Sequence, residues 1–196
     1  VASDIPGVLT HDRRPESPRR TQISIIDIAR AYFNAKVDPE RPVYVELPAE
    51  DGDREKCLCG QLQAHMYGTQ PAAKGWHTEF SAFLCTDLGF KQGVASACVF
   101  HHPEKRIFTS VYGDDFLSQG PAEELDWFKA AMTQKYELTE TARLGPGPGD
   151  DKTAKILNRV VRWTSEGLEV EADPRQVEKL VRDLSLEGAN SVATPG

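Results

Sequence analysis

The chain has 196 residues and a formal net charge of -7, long enough for one sizeable core or one core with an appended lobe. The acidic balance excludes tight, nonspecific nucleic-acid binding by the whole surface, while leaving room for a local basic groove. No run approaches the length of a membrane span and no signal peptide is visible, which excludes a membrane partner and points to an intracellular protein. Val1 stands where a start Met would, so the sequence reads as a piece of something longer. Cys57, Cys59, Cys85 and Cys98 lack paired C-x-x-C spacing and read as free thiols in a reducing compartment. Cys57-x-Cys59 with His65 is a weaker candidate, half of a zinc site.

In chain order, residues 1–22 are polar, broken by Pro6, Pro15 and Pro18, and carry the cluster Arg13, Arg14, Arg19 and Arg20; irregular chain is expected there. Residues 23–28 form the first apolar strand, and 29–34 a short helical turn. A second strand over 43–47 stops at Pro48, a charged loop covers 49–56, and a strand is expected within 57–66. Residues 71–88 read as a helix, with Trp76, Phe80, Phe83, Leu84 and Leu88 on one face and Gly89 in the C-terminal capping position. That aromatic stripe reads as core. Strands over 97–101 and 107–112 pair across a turn containing Pro103. His101-His102 there are a second metal candidate, set against the plainer reading of an exposed strand end.

Residues 121–135 form the second strong helix, with Glu123 and Glu124 near its positive end and Leu125, Phe128 and Met132 along one face. A Gly-Pro loop follows at 145–149. Residues 156–164 and 168–171 read as a hairpin. Asp173 is placed to cap a last helix from Pro174, whose Val177, Leu180, Val181 and Leu184 are expected to face inward. Strands and helices mix without βαβ alternation, so the fold class expected is α+β, an antiparallel sheet backed by helices.

The stretch 107–118 is the centre of the pattern. Two apolar runs flank Gly113-Asp114, and Gly113 supplies the positive φ that a tight two-residue turn requires. Asp115 follows Asp114 at once, and neighbouring carboxylates repel unless cations neutralise them. A hard divalent ion such as Mg²⁺ is their natural partner. Asp27 lies inside an apolar strand, where an acidic group is expensive to bury alone. It is the candidate third carboxylate. Three such groups would suit two divalent ions in nucleotidyl transfer.

The sequence resembles the palm region of copia-type retrotransposon reverse transcriptases. The resemblance runs through Asp27-Ile-Ala-Arg-Ala-Tyr-Phe-Asn34, Val43-Tyr-Val-Glu-Leu-Pro48 and Met66-Tyr-Gly-Thr-Gln-Pro-Ala-Ala-Lys-Gly-Trp76. It continues through Gly89-Phe90, Cys98-Val-Phe100, Tyr112-Gly-Asp-Asp115, residues 156–164 and Thr194-Pro195, in family order over most of 25–196. It implies a polymerase palm-like sheet with a partial fingers lobe. Residues 1–24 would be an irregular segment, 25–172 the palm with a fingers insertion near 43–70, and 173–196 a helix leading toward the thumb. The implied activity is RNA-directed DNA polymerisation, with Asp27, Asp114 and Asp115 catalytic and holding two Mg²⁺ or Mn²⁺ ions. Tyr32, Gln70, Lys74 and Tyr112 would contact substrate, Tyr32 as a steric gate against the ribose 2′-hydroxyl. Implied partners are an RNA template, a DNA primer, deoxynucleoside triphosphates and the other modules of a polyprotein; the implied setting is a cytoplasmic particle or the nucleus.

The chain departs from the family pattern in two places. The second motif usually reads Tyr-Gly-Leu-Lys-Gln-Ala-Pro-Arg; here Pro71 stands at the glutamine position and Gln70 one place early. The basic fingers motif before the first Asp is not recognisable in 1–26. A second reading is therefore a catalytically inactive or domesticated polymerase-fold remnant acting as a binding module. An RNA-copying RNA polymerase is a third, disfavoured because Ala31 and Tyr32 stand where its first motif carries another Asp.

Overall fold

The computed structural model describes residues 21–52, 56, 58–171 and 174–189. The arginine cluster, Cys57, the capping Asp173 and Thr194-Pro195 lie outside the described residues. The first strand, β1 (Thr21–Ile28), begins two residues before the expected start at Ile23, taking in Thr21 and Gln22 from the stretch expected to be irregular. A 3-10 turn over Ala31–Asn34 follows, entered through Arg30 in the left-handed region at φ 52°. β2 (Tyr44–Glu46) and β3 (Cys59–Gln61) make a small antiparallel ribbon, so the strand expected within 57–66 shrinks to three residues.

Helix α1 (Ala72–Ala82) runs into a π-helical turn, Phe83–Asp87, and Gly89 follows at φ 77°. Glycine meets that backbone conformation without a Cβ penalty, which is why the helix stops there. β4 (Lys91–Gln92), β5 (Val99–His102), β6 (Ile107–Tyr112) and β7 (Asp115–Pro121) then lead into α2 (Ala122–Lys135). Pro121 is the residue before the helix, and its fixed φ and missing N–H suit that position. β8 (Leu138–Leu144) joins β1 to complete a six-stranded antiparallel sheet in the order β4-β5-β6-β7-β1-β8.

Beyond β8 the expected single hairpin is a three-stranded meander of β9 (Thr153–Ile156), β10 (Arg159–Trp163) and β11 (Leu168–Glu171). The run 156–164 is broken by Leu157 and Asn158, both at positive φ (47° and 65°), the geometry of a tight two-residue hairpin. The last helix, α3 (Pro174–Asp183), forms as expected. Its apolar side does not turn inward: Val177, Leu180 and Leu184 are 59%, 60% and 63% exposed. Periodicity shows that a helix has an apolar face, and only neighbouring elements can cover it.

Two cores hold the sheet. On one face, α1 and α2 bury Trp76, Phe80, Leu125, Phe128 and Met132 against Ile26, Ile28, Phe100, Val111 and Phe116. On the other, the meander packs Ala154 and Val161 over Ile23, Ile25 and Leu144. The architecture is α+β, a palm-like antiparallel sheet backed by helices. Between α2 and the sheet, the half-buried Glu140 accepts bonds from Ser24 Oγ (2.6 Å), Lys129 Nζ (2.7 Å) and Arg143 Nε (2.7 Å), tying β1, β8 and α2 together. Among the described residues no helix is long and apolar enough to cross a membrane.

Candidate functional site

Strand pairing builds the site. Tyr112 is directly opposite Asp115 across the β6–β7 hairpin, Asp115 is opposite Asp27 across β7–β1, and Asp27 is opposite Thr139 on β8. Directly opposed residues project from the same face of a sheet. Tyr112, Asp115, Asp27 and Thr139 therefore form one row across four strands. Ile26, Ile28 and Phe116 belong to the core under the helices, and strand alternation puts Asp27 and Asp115 on the opposite face.

Asp114 sits in the turn that caps the row. Gly113 takes φ 65°, as its place at the first turn position demands. The Gly113 carbonyl accepts the Trp76 indole N–H at 2.8 Å, and the Asp114 carbonyl accepts the Ile28 amide at 3.0 Å. Arg30, just past β1, forms an exposed ion pair with Glu137.

The carboxylates repel one another. Partial burial, and then the charge of Asp114, raise the Asp27 carboxyl above the ordinary range. Asp115 is raised by burial, then by Asp114 and Asp27. Groups with raised folded pKa values hold protons more tightly in the folded state than in the unfolded chain. Their penalty is thus fully present above the raised values and is relieved as pH falls through them. Removing the Asp114 charge should do at neutral pH what acid does. Metal-free Asp114→Asn should melt no lower than the parent, with a gain of up to about 1 kcal/mol, and should gain less than the parent on mild acidification. Melting curves at neutral and weakly acidic pH check this; a clearly lower neutral melting point for the variant would contradict the repulsion.

The substrate candidates divide. Tyr32 is half-buried and packs on Tyr67, ring centroids 4.3 Å apart, with Phe33 at 6.1 Å from the same ring. Burial and the charges of Asp114 and Asp27 raise the Tyr67 phenol, against a bond to the Ala31 backbone that lowers it. This brings Tyr67 into the neighbourhood of the carboxylates. Tyr112 is 68% exposed at the end of the row. Gln70 and Lys74 are exposed where the chain enters α1. Among the described residues no hydrogen bond or ion pair joins either of them to the row.

Tyr67 and Trp76 were landmarks in the sequence with no role at the site. Their side chains meet it only through folding, and nothing in their local spacing signals that.

The histidine candidates separate. His101 stacks on Phe108 at 4.3 Å, whereas buried His102 lies against Phe90 and Trp127 and accepts the Lys105 amide at 3.2 Å. Neighbouring strand residues point to opposite faces, so the two rings form no pair. In the zinc candidate, Cys59 is an exposed free thiol and His65 is buried.

For a divalent ion, the carboxylate oxygens of Asp27, Asp114 and Asp115 are the right donor chemistry, and their mutual repulsion favours a cation. Among the described residues, however, no group of three His, Cys, Asp or Glu side chains is arranged to hold a metal ion. The donor chemistry of the three carboxylates suits a hard cation.

An antiparallel sheet with helices on one face, and an acidic row with an acidic turn at the end of its central strands, defines a polymerase-palm type of domain. A family model described as Reverse transcriptase (RNA-dependent DNA polymerase) matches residues 18–196. The chain belongs to that family. No curated protein matches it significantly.

Proposed function

We propose that this chain is a palm module of the reverse transcriptase family that binds nucleic acid without assembling a nucleotidyl-transfer centre of its own. The observation carrying this is the site's arrangement: the acidic row is present, yet among the described residues no three ligating side chains converge for a metal ion. Exposed aromatic surface supports a binding role, since Phe33, Tyr67 and Tyr112 are 49%, 45% and 68% exposed near that end of the sheet. Aromatic faces stack on bases of any sequence. With a net charge of -7, stacking and local contacts must dominate over a broad electrostatic grip.

A second reading is favoured by the opposed pair Asp27 and Asp115 with Asp114 in the adjoining turn. It is the RNA-directed DNA polymerase of a copia-type element, in a cytoplasmic particle or the nucleus beside other modules of a polyprotein. Asp27, Asp114 and Asp115 would then hold two Mg²⁺ or Mn²⁺ ions, which when bound supply charge stabilisation for phosphoryl displacement. Tyr32 would exclude the ribose 2′-hydroxyl, and Gln70, Lys74 and Tyr112 would steady the incoming nucleotide. The division into a palm over 25–172, fingers near 43–70 and a thumb-ward helix from 173 belongs to this reading.

One experiment separates the two. A fluorescein-labelled DNA primer annealed to an RNA template is titrated with the chain and then supplied with deoxynucleoside triphosphates and Mg²⁺ or Mn²⁺. Saturable binding without extension is expected. Extension above that of Asp27→Asn would overturn the binding-module reading in favour of the polymerase, and absence of both binding and extension would overturn both.

A further inference from the structure

We propose that Trp76 is a positioning residue, whose indole N–H clamps the Gly113 carbonyl and thereby fixes the turn from which Asp114 and Asp115 project. This deepens the reading above and rests on that end of the sheet being the functional locus. Trp76 is 1% exposed, and an indole N–H buried that deeply needs an acceptor. It takes one 37 residues away in sequence, on the glycine whose φ of 65° makes the turn. The ring has little freedom to follow a moving turn. Phe80 and Tyr136 hold it at 5.3 Å each and Phe116 at 6.5 Å.

The helix under the ring is itself seated closely. A Cβ at Gly75 would lie 2.1 Å from the His65 imidazole, so only glycine lets this turn of α1 approach the His65 loop as it does. From the other side, the Asp114 carbonyl is held by the Ile28 amide at 3.0 Å, on the strand that carries Asp27. Two successive carbonyls of this two-residue turn are thus gripped by two different elements. A turn crowded by like charges would otherwise swing outward, taking Asp114 away from Asp27 and Asp115. The clamp opposes that motion.

The Ile28 amide is a built-in reporter, because its acceptor is in the turn. Two variants of the full chain are needed: Trp76→Phe, and replacement of Trp76 by benzothienylalanine, which keeps the two-ring shape and loses only the N–H. Amide hydrogen exchange of Ile28 should speed up about five- to tenfold in both, the change allowed by loss of one ordinary hydrogen bond. Amides of β5 and the centre of β6 should stay as they were. Affinity for the labelled primer–template should fall several-fold. Unchanged Ile28 exchange in the benzothienylalanine protein overturns the clamp, as does equal acceleration of all amides, which would show only global destabilisation. Failure of the parent protein itself to bind primer–template would overturn the functional reading instead, with Ile28 exchange still deciding the role of Trp76.

Discussion

Replacing Phe116 by alanine should destabilise the protein by about 3–5 kcal/mol, the usual result of emptying a fully buried aromatic site. Phe116 has no exposed surface and stands beside Asp115 on β7, with its ring 5.5 Å from Phe80 and 6.5 Å from Trp76. Such a loss is a large fraction of the roughly 5–15 kcal/mol that domains possess, and it should lower the melting temperature by roughly 6–20 °C. Phe116→Leu, which keeps most of the volume, should lose only about 1–1.5 kcal/mol. Urea unfolding checks both, through a shifted midpoint at unchanged slope. A loss below about 1 kcal/mol for the alanine variant would mean that β7 is not packed under the helices.

Glu140→Ala should cost about 1–3 kcal/mol, because it leaves Ser24 without its acceptor and takes one partner from Lys129 and one from Arg143, which keeps its ion pair with Asp126 at 2.8 Å. The Glu140 and Arg143 side chains are 13% and 16% exposed, so water can replace the lost partner only in part. Burial pushes the Glu140 carboxyl up, but bonds from Lys129 and Ser24 and the Arg143 charge outweigh it and hold the carboxyl below the ordinary range. A depressed folded pKa contributes stability that is fully present above the unfolded value and is lost as pH falls through the folded one. Asp27 and Asp115 act with the opposite sign, since acid relieves their repulsion. Stability in mild acid should therefore first hold level or rise, and fall only at lower pH where Glu140 takes up its proton. In Glu140→Ala that final fall should be shallower. Equal acid limbs in parent and variant would remove Glu140 from the account.

The same signs bear on the carboxylate row. Like charges directly opposed across strands weaken a sheet, and three aspartates at one end of β1 and the β6–β7 hairpin do nothing for stability that polar uncharged residues would not do better. Their presence is a cost to the fold, and sites that break a local rule at such cost are expected at functional positions. The row is therefore the part of the molecule to test with nucleic acid first, whichever of the two readings holds.

Much was legible in the residues taken alone. The apolar run 23–28 with its single acid, the two amphipathic helices, and Gly113 between apolar runs all carry their signal within a few positions. Backbone propensity and hydrophobic period act over that range. The mixing of strands and helices without βαβ alternation extended this to the α+β class. β8 escapes because Leu138–Leu144 carries three polar residues in a row, Thr139, Glu140 and Thr141, in place of a regular alternation, and such a strand is recognisable only beside its partner. The break at Leu157-Asn158 was hidden by the apolar residues around it.

What only the tertiary structure decided are the long-range pairings. That Asp27 faces Asp115 depends on a strand register between residues 88 positions apart, which no local pattern specifies. That Trp76 bonds the acidic turn depends on how deeply α1 sits on the sheet. Whether the apolar side of α3 is covered depends on a neighbour, and here Val177, Leu180 and Leu184 stay exposed. The residue types needed for a cation were readable from the sequence. How they stand to one another is set by the strand pairing that only the folded chain supplies.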